Sequence, residues 1–190
     1  IENENVTVTG VSSATSTRRT PVAINILKQE DLFGTISTNL IDNLSKTPGV
    51  SAISTGPAIS KPTIRGLGYN RVVVVNDGIR QEGQQWGDEH GIEIDEQSVN
   101  KVEVLKGPAS LMYGSDALAG VINIISVKPV QEGKINGEVS SAYFTNNRQR
   151  NLHAAIDGNS NGFIWGAYGS YKSAADYKNK YDGYVFNSKF

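Results

Sequence analysis

The stretch Val102–Ser126, VEVLKGPASLMYGSDALAGVINIIS, decides the fold of this chain. Its first residues and the run Val121–Ile125 have the β-branched content of buried strands. Between them, Pro108 suits the first position of a short helix over Ala109–Tyr113. Gly120 then closes the connection with a residue that accepts unusual backbone angles. We therefore predict a strand, one helical turn and a second strand that returns beside the first.

The composition narrows the function classes. The chain has 190 residues, a formal net charge of −1, 20 glycines and 38% hydrophobic residues, which favours a loop-rich β protein over a helical bundle. A near-neutral charge gives no support for nucleic-acid binding. The absence of cysteine excludes disulfides, thiolate metal sites and a cysteine nucleophile. Because no nucleophile elbow, P-loop, zinc-protease or dinucleotide motif occurs, we predict that the protein is not an enzyme.

The sequence before Pro129 predicts a compact α+β domain. A helix is expected near residue 40, capped by Ser37 or Thr38, with Leu40, Ile41 and Leu44 on one face. Asn76-Asp77-Gly78 predicts a tight turn after a buried strand. Short strands and helical turns are further predicted at Pro21–Leu27, Gln29–Phe33, Val50–Ser54, Pro62–Gly68 (a strand that enters a glycine turn), Val72–Val75 and Asp95–Val99.

The sequence changes character after Pro129. Ile135–Thr145, Arg150–Asp157 and Gly162–Lys172 are weakly alternating segments, and Asp157-Gly158-Asn159 is the turn expected between the second and the third. On the third segment Phe163, Trp165, Ala167 and Tyr171 share one face. A membrane β-barrel and a soluble antiparallel meander both show this pattern. Three or four strands cannot close a barrel, so a barrel would need further strands.

Several motifs occur in an order that resembles the plug domain of TonB-dependent outer-membrane receptors. They are PVAINI at 21–26, TPGV at 47–50, IRG at 64–66, NDG at 76–78, VLKGPASLMYG at 104–114 and GVINI at 120–124. The resemblance implies an α+β plug domain over residues 21–130, a small mixed β-sheet with short helices. A TonB-box-like segment and linker (1–20) would precede it, and the first antiparallel strands of a transmembrane β-barrel (131–190) would follow.

The resemblance also implies a function and partners. A receptor in the outer membrane of a Gram-negative bacterium would import a scarce nutrient by energy-coupled movement of the plug. An iron chelate, either a siderophore or haem, is the expected transported ligand, with zinc or another metal as the alternative and no tightly bound cofactor. The partners would be that ligand, the lipid around the barrel and the periplasmic protein TonB, with no nucleic acid. TonB would bind the segment Glu4, Asn5, Val6, Thr7, Val8 and Thr9. From the residues alone, a soluble β-rich binding module without a membrane role stays open.

The loop around Trp86 is the candidate ligand surface. Glycines bound it on both sides, and Trp86 offers a stacking face, so we predict ligand contact by Gln84, Gln85, Trp86, Asp88, Glu89 and His90. The last three are types of metal ligand and form the candidate metal set. A solvated acidic loop is the alternative.

The resemblance further implies an ionic latch between plug and barrel. The arginine of the IRG motif and a second one before the Gly-Pro turn would pair with glutamates of the barrel wall. We assign the latch to Arg65, Lys106 and Glu103, noting that Lys106 lacks the bidentate fork of arginine. Alternatively, Arg65 pairs within the plug, with Asp77 or Glu103.

Overall fold

The computed structural model divides the chain into two compact units, Ile1–Val127 and Lys128–Phe190. It describes residues 7–8, 15–16, 23–33, 39–55, 59–87, 90–176, 178–179, 181 and 183–184. Each unit is considered by itself below. Among these residues, no helix is both long and apolar enough to cross a membrane.

A mixed sheet of five strands forms the centre of the first unit, in agreement with the small mixed sheet that the family resemblance implies. Its spatial order is β3-β8-β9-β6-β7. Strands β6 and β9 run parallel, and the other neighbours run antiparallel. The strands are β3 (Ala23–Lys28), β6 (Val72–Asn76), β7 (Ile79–Gln81), β8 (Val99–Lys106) and β9 (Gly120–Ser126).

Both faces of the three central strands, β8, β9 and β6, are buried. On one face Val72, Val102 and Ile122 pack with Leu40 and Leu44 of a short helix. On the other face, smaller side chains pack against the connection between β8 and β9: Val73, Val75, Leu105, Val121 and Ala117. The β-branched runs identified in the sequence are therefore central strands, which have no solvent face.

The predicted β8–β9 unit forms around Gly120. Its helical turn is a 3-10 helix, Pro108–Tyr113, and the two strands pair from Val99 to Lys106. A Cβ atom at Gly120 would lie 2.4 Å from the carbonyl oxygen of Leu105 and 2.8 Å from Cδ1 of Ile64. Only glycine allows this approach of the two chains, which explains its position at the start of β9.

Two α-helices, two hairpins (β1–β2 and β4–β5) and three 3-10 helices complete the described part of the first unit. Helix α1 (Gln29–Phe33) and helix α2 (Leu40–Leu44) form where expected. The cap of α2 differs from the prediction: Asn39, not Ser37 or Thr38, accepts a hydrogen bond from the Asp42 amide at 3.0 Å. The remaining elements are β1 (Thr7–Val8), β2 (Thr15–Ser16), β4 (Val50–Ser54), β5 (Ser60–Ile64), and 3-10 helices at Tyr69–Arg71, Gly83–Gln85 and Glu96–Ser98.

The second unit contains a three-stranded antiparallel meander and a small hairpin. Its strands are β10 (Ile135–Phe144), β11 (Gln149–Ser160), β12 (Phe163–Ser173), β13 (Lys178–Asn179) and β14 (Gly183–Tyr184). The turn predicted at Asp157-Gly158-Asn159 is wrong, because these residues lie inside β11 and the chain turns at Asn161-Gly162, both with positive φ. The ring of Trp165 packs over Gly158, where a Cβ atom would lie 2.4 Å from it. An aromatic neighbour that covers the glycine thus stabilises it within a strand.

The polarity of the β10–β12 sheet is opposite to that of a soluble sheet. The strand register places Phe163, Trp165, Ala167 and Tyr171 on one face, as predicted. Seven large apolar side chains of this face are 47% to 78% exposed: Ile135, Val139, Tyr143, Leu152, Ile156, Phe163 and Tyr171. On the opposite face of β11, Gln149 and His153 are buried.

Polar side chains of that second face bond to one another. The Asn147 amide donates to Gln149 at 3.1 Å, and the Gln149 amide donates to Asn151 at 3.0 Å. His153 Nδ1 lies 2.7 Å from Ser170 Oγ on β12. On this second face, Ile164 and Tyr168 of β12 are also exposed, so among the described residues only polar side chains of β11 are buried there. The continuous apolar face on the other side is what the lipid-facing side of a membrane β-barrel wall shows.

Candidate functional site

The Trp86 loop, residues 83–91, projects an aromatic pair from the first unit. Trp86 is 68% exposed. The rings of Trp86 and His90 are arranged in a T shape, with the centroids 6.5 Å apart and the planes at 82°. His90 Nδ1 lies 3.9 Å from Glu93 Oε1. This arrangement leaves an apolar face and an imidazole accessible on the same loop.

Of the three metal ligands predicted on this loop, Asp88, Glu89 and His90, the structure describes one. Asp88 and Glu89 lie outside the described residues, which leaves His90 as the described member. Within the described ranges, no group of three or more His, Asp or Glu side chains could hold a metal ion. The metal assignment therefore stays a prediction.

The two glutamines of the loop differ in position. Gln84 is buried, and its amide donates to the Val72 carbonyl of β6 at 3.2 Å. It thus anchors the start of the Trp86 loop to the central sheet. Gln84 Oε1 and Gln85 Nε2 are both buried without a hydrogen-bond partner. The sequence analysis places Gln84 among the ligand contacts. In the structure its described contact is the hydrogen bond to β6, which holds the loop against the central sheet.

Lys61 of β5 is a second anchor, which the sequence did not indicate. It is buried, and its Nζ donates to the carbonyl oxygen of Gly87. The same Nζ lies 4.9 Å from the ring centroid of Tyr69. At the far end of the loop, a Cβ atom on Gly91 would lie 3.3 Å from the backbone of Ser60. The residues around Lys61, Ser60 and Pro62, form no sequence pattern that would predict these long-range contacts.

Arg65 and Lys106 form a pair of neighbouring cations. Arg65 has φ +52°, its side chain is exposed, and its amide donates to the Gly49 carbonyl at 2.9 Å. Lys106 is buried and donates to the Pro48 carbonyl, so it holds the segment that follows α2. Burial and then the charge of Arg65 lower the pKa of Lys106. Arg65 is the member of the pair that presents its charge outward.

Glu103 lies away from these two cations. It is fully buried on the face of β8 opposite to Lys106, since the two residues are three positions apart on one strand. It pairs with Lys101 Nζ at 2.8 Å and accepts from the Asn123 amide at 3.1 Å. Burial, and then the charge of Glu103, raise the pKa of Tyr113. The structure thus does not bring Glu103 together with Arg65 and Lys106.

Asp77, the other internal partner considered for Arg65, is also engaged elsewhere. Its carboxylate accepts from the Ser126 amide at 3.0 Å. The described salt bridges include none to Arg65. Pairing of Arg65 inside the first unit therefore has no support among the described residues.

The predicted TonB-binding segment is described at two positions. Thr7 and Val8 form β1, which pairs antiparallel with Thr15 and Ser16 of β2. Glu4, Asn5, Val6 and Thr9 lie outside the described residues. Extended backbone at positions 7–8 is the conformation that strand addition requires.

Comparison with known proteins gives a family match over much of the chain. The family described as "TonB-dependent Receptor Plug Domain" matches residues 16–121. The iron-regulated outer membrane virulence protein of Vibrio cholerae is 32% identical over 171 residues, which are 86% of this chain and 25% of that protein. The hemin receptor of Yersinia enterocolitica is 30% identical over 125 residues, 65% of this chain and 18% of that protein. The chain thus spans a quarter or less of the length of these curated relatives.

A solved structure shares the fold. The pyoverdine outer membrane receptor FpvA of Pseudomonas aeruginosa, bound to pyoverdine, superposes with a TM-score of 0.71 at 23% identity. The match covers 88% of this chain and 24% of that one. At this identity the likeness concerns the fold alone.

Proposed function

The chain belongs to the TonB-dependent receptor plug domain family, whose members are outer-membrane receptors of Gram-negative bacteria, and from this premise we propose that it imports an iron chelate. The plug and the first barrel strands are the parts of the receptor in this chain. The chelate is a ferric siderophore or haem, and TonB supplies the coupling to energy.

The polarity of the β10–β12 sheet is the observation that carries the membrane part of this proposal. A soluble module that exposed seven large apolar side chains on one sheet face would be prone to association. The same face is favourable against lipid. This contrast favours a receptor over the soluble β-rich binding module that the sequence pattern leaves open.

The Trp86 loop supports the choice of ligand. An exposed indole beside an imidazole suits a ligand with flat apolar groups around a metal. The names of the relatives include an iron-regulated protein, a hemin receptor and a pyoverdine receptor, which agrees with an iron chelate. Zinc is the alternative ligand, and the experiment below distinguishes it.

The mechanism is a change in the populations of two plug states. Ligand bound at the Trp86 loop stabilises one state of the plug, and that state offers the segment around β1 to TonB. TonB adds a strand to this segment through main-chain hydrogen bonds, which demand little of the side chains. Force on the segment then displaces part of the plug, and the ligand passes.

A binding titration of the full-length receptor tests the proposal. We expect tight binding of haem or a ferric siderophore and weaker binding of zinc. His90→Ala should weaken haem binding and shift its Soret band if the imidazole ligates the iron. His153→Ala is the matched control, because His153 is the other histidine of the chain and lies on β11. Tight binding of zinc alone would replace the iron chelate, and binding of none of these ligands would refute the proposal.

A further inference from the structure

The β3–β8 seam, the six residue pairs that join these two strands, buries less side-chain surface than the centre of the sheet. β3 is an edge strand, and its side chains from Ile24 to Lys28 are all only half-buried. By contrast, Val102–Lys106 of β8 and Gly120–Ile124 of β9 are buried without interruption. Burial of apolar surface is the main force that holds a strand in a sheet, so β3 is held less firmly than β8 or β9.

The register of the β3–β8 seam also brings unlike side chains together. Residues directly opposite each other share a face of the sheet, so their side chains are neighbours. Three of the six pairs are mismatched in polarity or charge: Asn25–Val104, Ile26–Glu103 and Lys28–Lys101. Like charges that lie directly opposite each other are destabilising. The seam therefore gains little from its cross-strand contacts.

The seam on the other side of β8 is matched instead. Apolar residues of β8 lie opposite apolar residues of β9: Val102–Ile124, Val104–Ile122 and Leu105–Val121. Glu103 lies opposite Asn123, whose side-chain amide donates a hydrogen bond to it at 3.1 Å. Cross-strand pairs of this kind stabilise a sheet. β8 thus has a strong partner in β9 and a weak one in β3.

The buried Lys101–Glu103 pair makes the departure of β3 less costly. Glu103 is fully buried, with Oε1 2.8 Å from Lys101 Nζ. Removing two charges from water costs free energy that their attraction often fails to offset. Ile26 and Lys28 of β3 lie directly opposite this pair. If β3 leaves, water reaches the two charges and solvates them, whereas apolar side chains at these positions would be exposed at a cost.

We propose that β3 opens from β8 as an independent unit while β8, β9 and β6 stay paired, and that the mismatched seam and the buried Lys101–Glu103 pair set how often it opens. Folded proteins open locally with free energies well below that of global unfolding. The side chains across the seam place β3 among such elements. This inference concerns the fold of the first unit and does not depend on the transported ligand.

Amide hydrogen exchange of the full-length receptor without ligand tests this inference. The measured quantity is the protection factor, the ratio of the intrinsic to the observed exchange rate, for peptides 23–28 of β3 and 120–126 of β9. The double variant Asn25→Val/Lys28→Val removes two of the mismatches and introduces residues that favour strands. Gln81→Val is the matched control, because Gln81 lies opposite Val74 on β7, the other edge strand.

We expect protection in 23–28 of the wild-type receptor to be lower than in 120–126 by about tenfold or more. Asn25→Val/Lys28→Val should raise protection in 23–28 about threefold to tenfold and leave 120–126 unchanged. Gln81→Val should leave 23–28 unchanged, since it alters only the opposite edge of the sheet.

A third variant tests the ion pair. Lys101→Met, Glu103→Met and Asn123→Leu are introduced together, so that none of the three polar groups is left in the core without the others. Replacement of a buried ion pair by apolar residues of similar size is often stabilising. We expect protection in 23–28 to rise about tenfold. If this variant does not fold, the wild-type comparison and the double variant still test the inference.

Equal protection of 23–28 and 120–126 in the wild-type receptor would overturn the inference, because β3 would then open only together with the rest of the sheet. Unchanged protection of 23–28 in Asn25→Val/Lys28→Val would also overturn it, as would an equal rise in Gln81→Val. Unchanged protection in the folded triple variant would overturn the role of the ion pair. All of these results leave the proposed function standing, since none of them measures ligand binding.

Discussion

At the scale of single residues, Arg65 is the clearest candidate for a contact with the rest of the receptor. Its guanidinium is exposed beside Lys106, and the described salt bridges include none to it. We expect it to pair with a carboxylate of the barrel wall. Arg65→Gln should then lower the stability of the plug within the full-length receptor by about 1.5–3 kcal/mol, the typical value of hydrogen bonds to a charged group. Urea-induced plug release in detergent measures this loss.

Two variants make the Arg65 test specific. Arg65→Lys keeps the charge without the bidentate fork, so its effect should be intermediate. Arg71→Gln is the matched control, because Arg71 is a second exposed arginine in the same loop. Equal urea midpoints for Arg65→Gln and the wild-type receptor would show that Arg65 makes no such contact.

The sequence predicts single residues well where the reason is local. Gly120 is predicted to close the β8–β9 connection, and the contact with Leu105 shows why glycine is needed there. The anchoring contacts of Lys61 and Gln84 could not be predicted, because their partners, Gly87 and Val72, are distant in the sequence. Their roles depend on packing between loops and strands, which no local pattern encodes.

At the scale of elements, one ion pair fastens β7 to the β8–β9 connection. Arg80 Nη2 lies 2.5 Å from Asp116 Oδ2, and Arg80 Nε lies 3.2 Å from Glu82 Oε1. The hydrogen bond and charge of Arg80 hold the pKa of Asp116 below its ordinary value of 3.8. A carboxyl with a lowered pKa in the folded state stabilises the fold above its unfolded pKa and loses that contribution as the pH falls through the folded pKa.

Asp116→Asn should therefore remove part of the acid sensitivity of the first unit. At neutral pH we expect a melting temperature lower by a few degrees at most, since the pair is exposed. Below about pH 4 the variant and the wild-type receptor should converge. Glu82→Gln is the matched control and should keep the acid-dependent loss. A wild-type receptor and an Asp116→Asn variant that stay equally far apart from pH 3 to pH 7 would contradict this assignment.

Most elements could be predicted from sequence because their ends carry specific turn residues. The Asp77-Gly78 turn and the three long strands after Pro129 form as expected. The turn placed at Asp157-Gly158-Asn159 failed because Gly158 is covered by Trp165, a contact between two strands. The cap of α2 was misplaced by one or two residues, since Ser, Thr and Asn are all good caps and only the fold selects among them.

At the scale of the whole molecule, the exposed face of the β10–β12 sheet allows a test of the membrane assignment. Val139 is 78% exposed on this face. In a soluble protein Val139→Lys would change stability by no more than about 0.5 kcal/mol. Against the middle of a bilayer it should cost about 2–4 kcal/mol. The amount of full-length receptor assembled in the outer membrane, judged by heat-modifiable mobility, measures the difference.

Glu138→Lys is the matched control for Val139→Lys. Glu138 is the preceding residue and lies on the opposite face of β10, where polar side chains are tolerated. Normal assembly of both variants would show that the apolar face does not contact lipid.

The place of β3 in the central sheet has a mechanical consequence. It is an edge strand, paired with β8 alone, and the chain enters it at Ala23, opposite Lys106. Tension applied from the N-terminal side and directed across the strands would load the Ala23–Lys106 pair first and open the following pairs one after another. The other four strands would keep their own ladders throughout. In that direction each step breaks a single residue pair, so the resistance to detachment of β3 depends on the angle of the pull and not on the number of pairs in the strand.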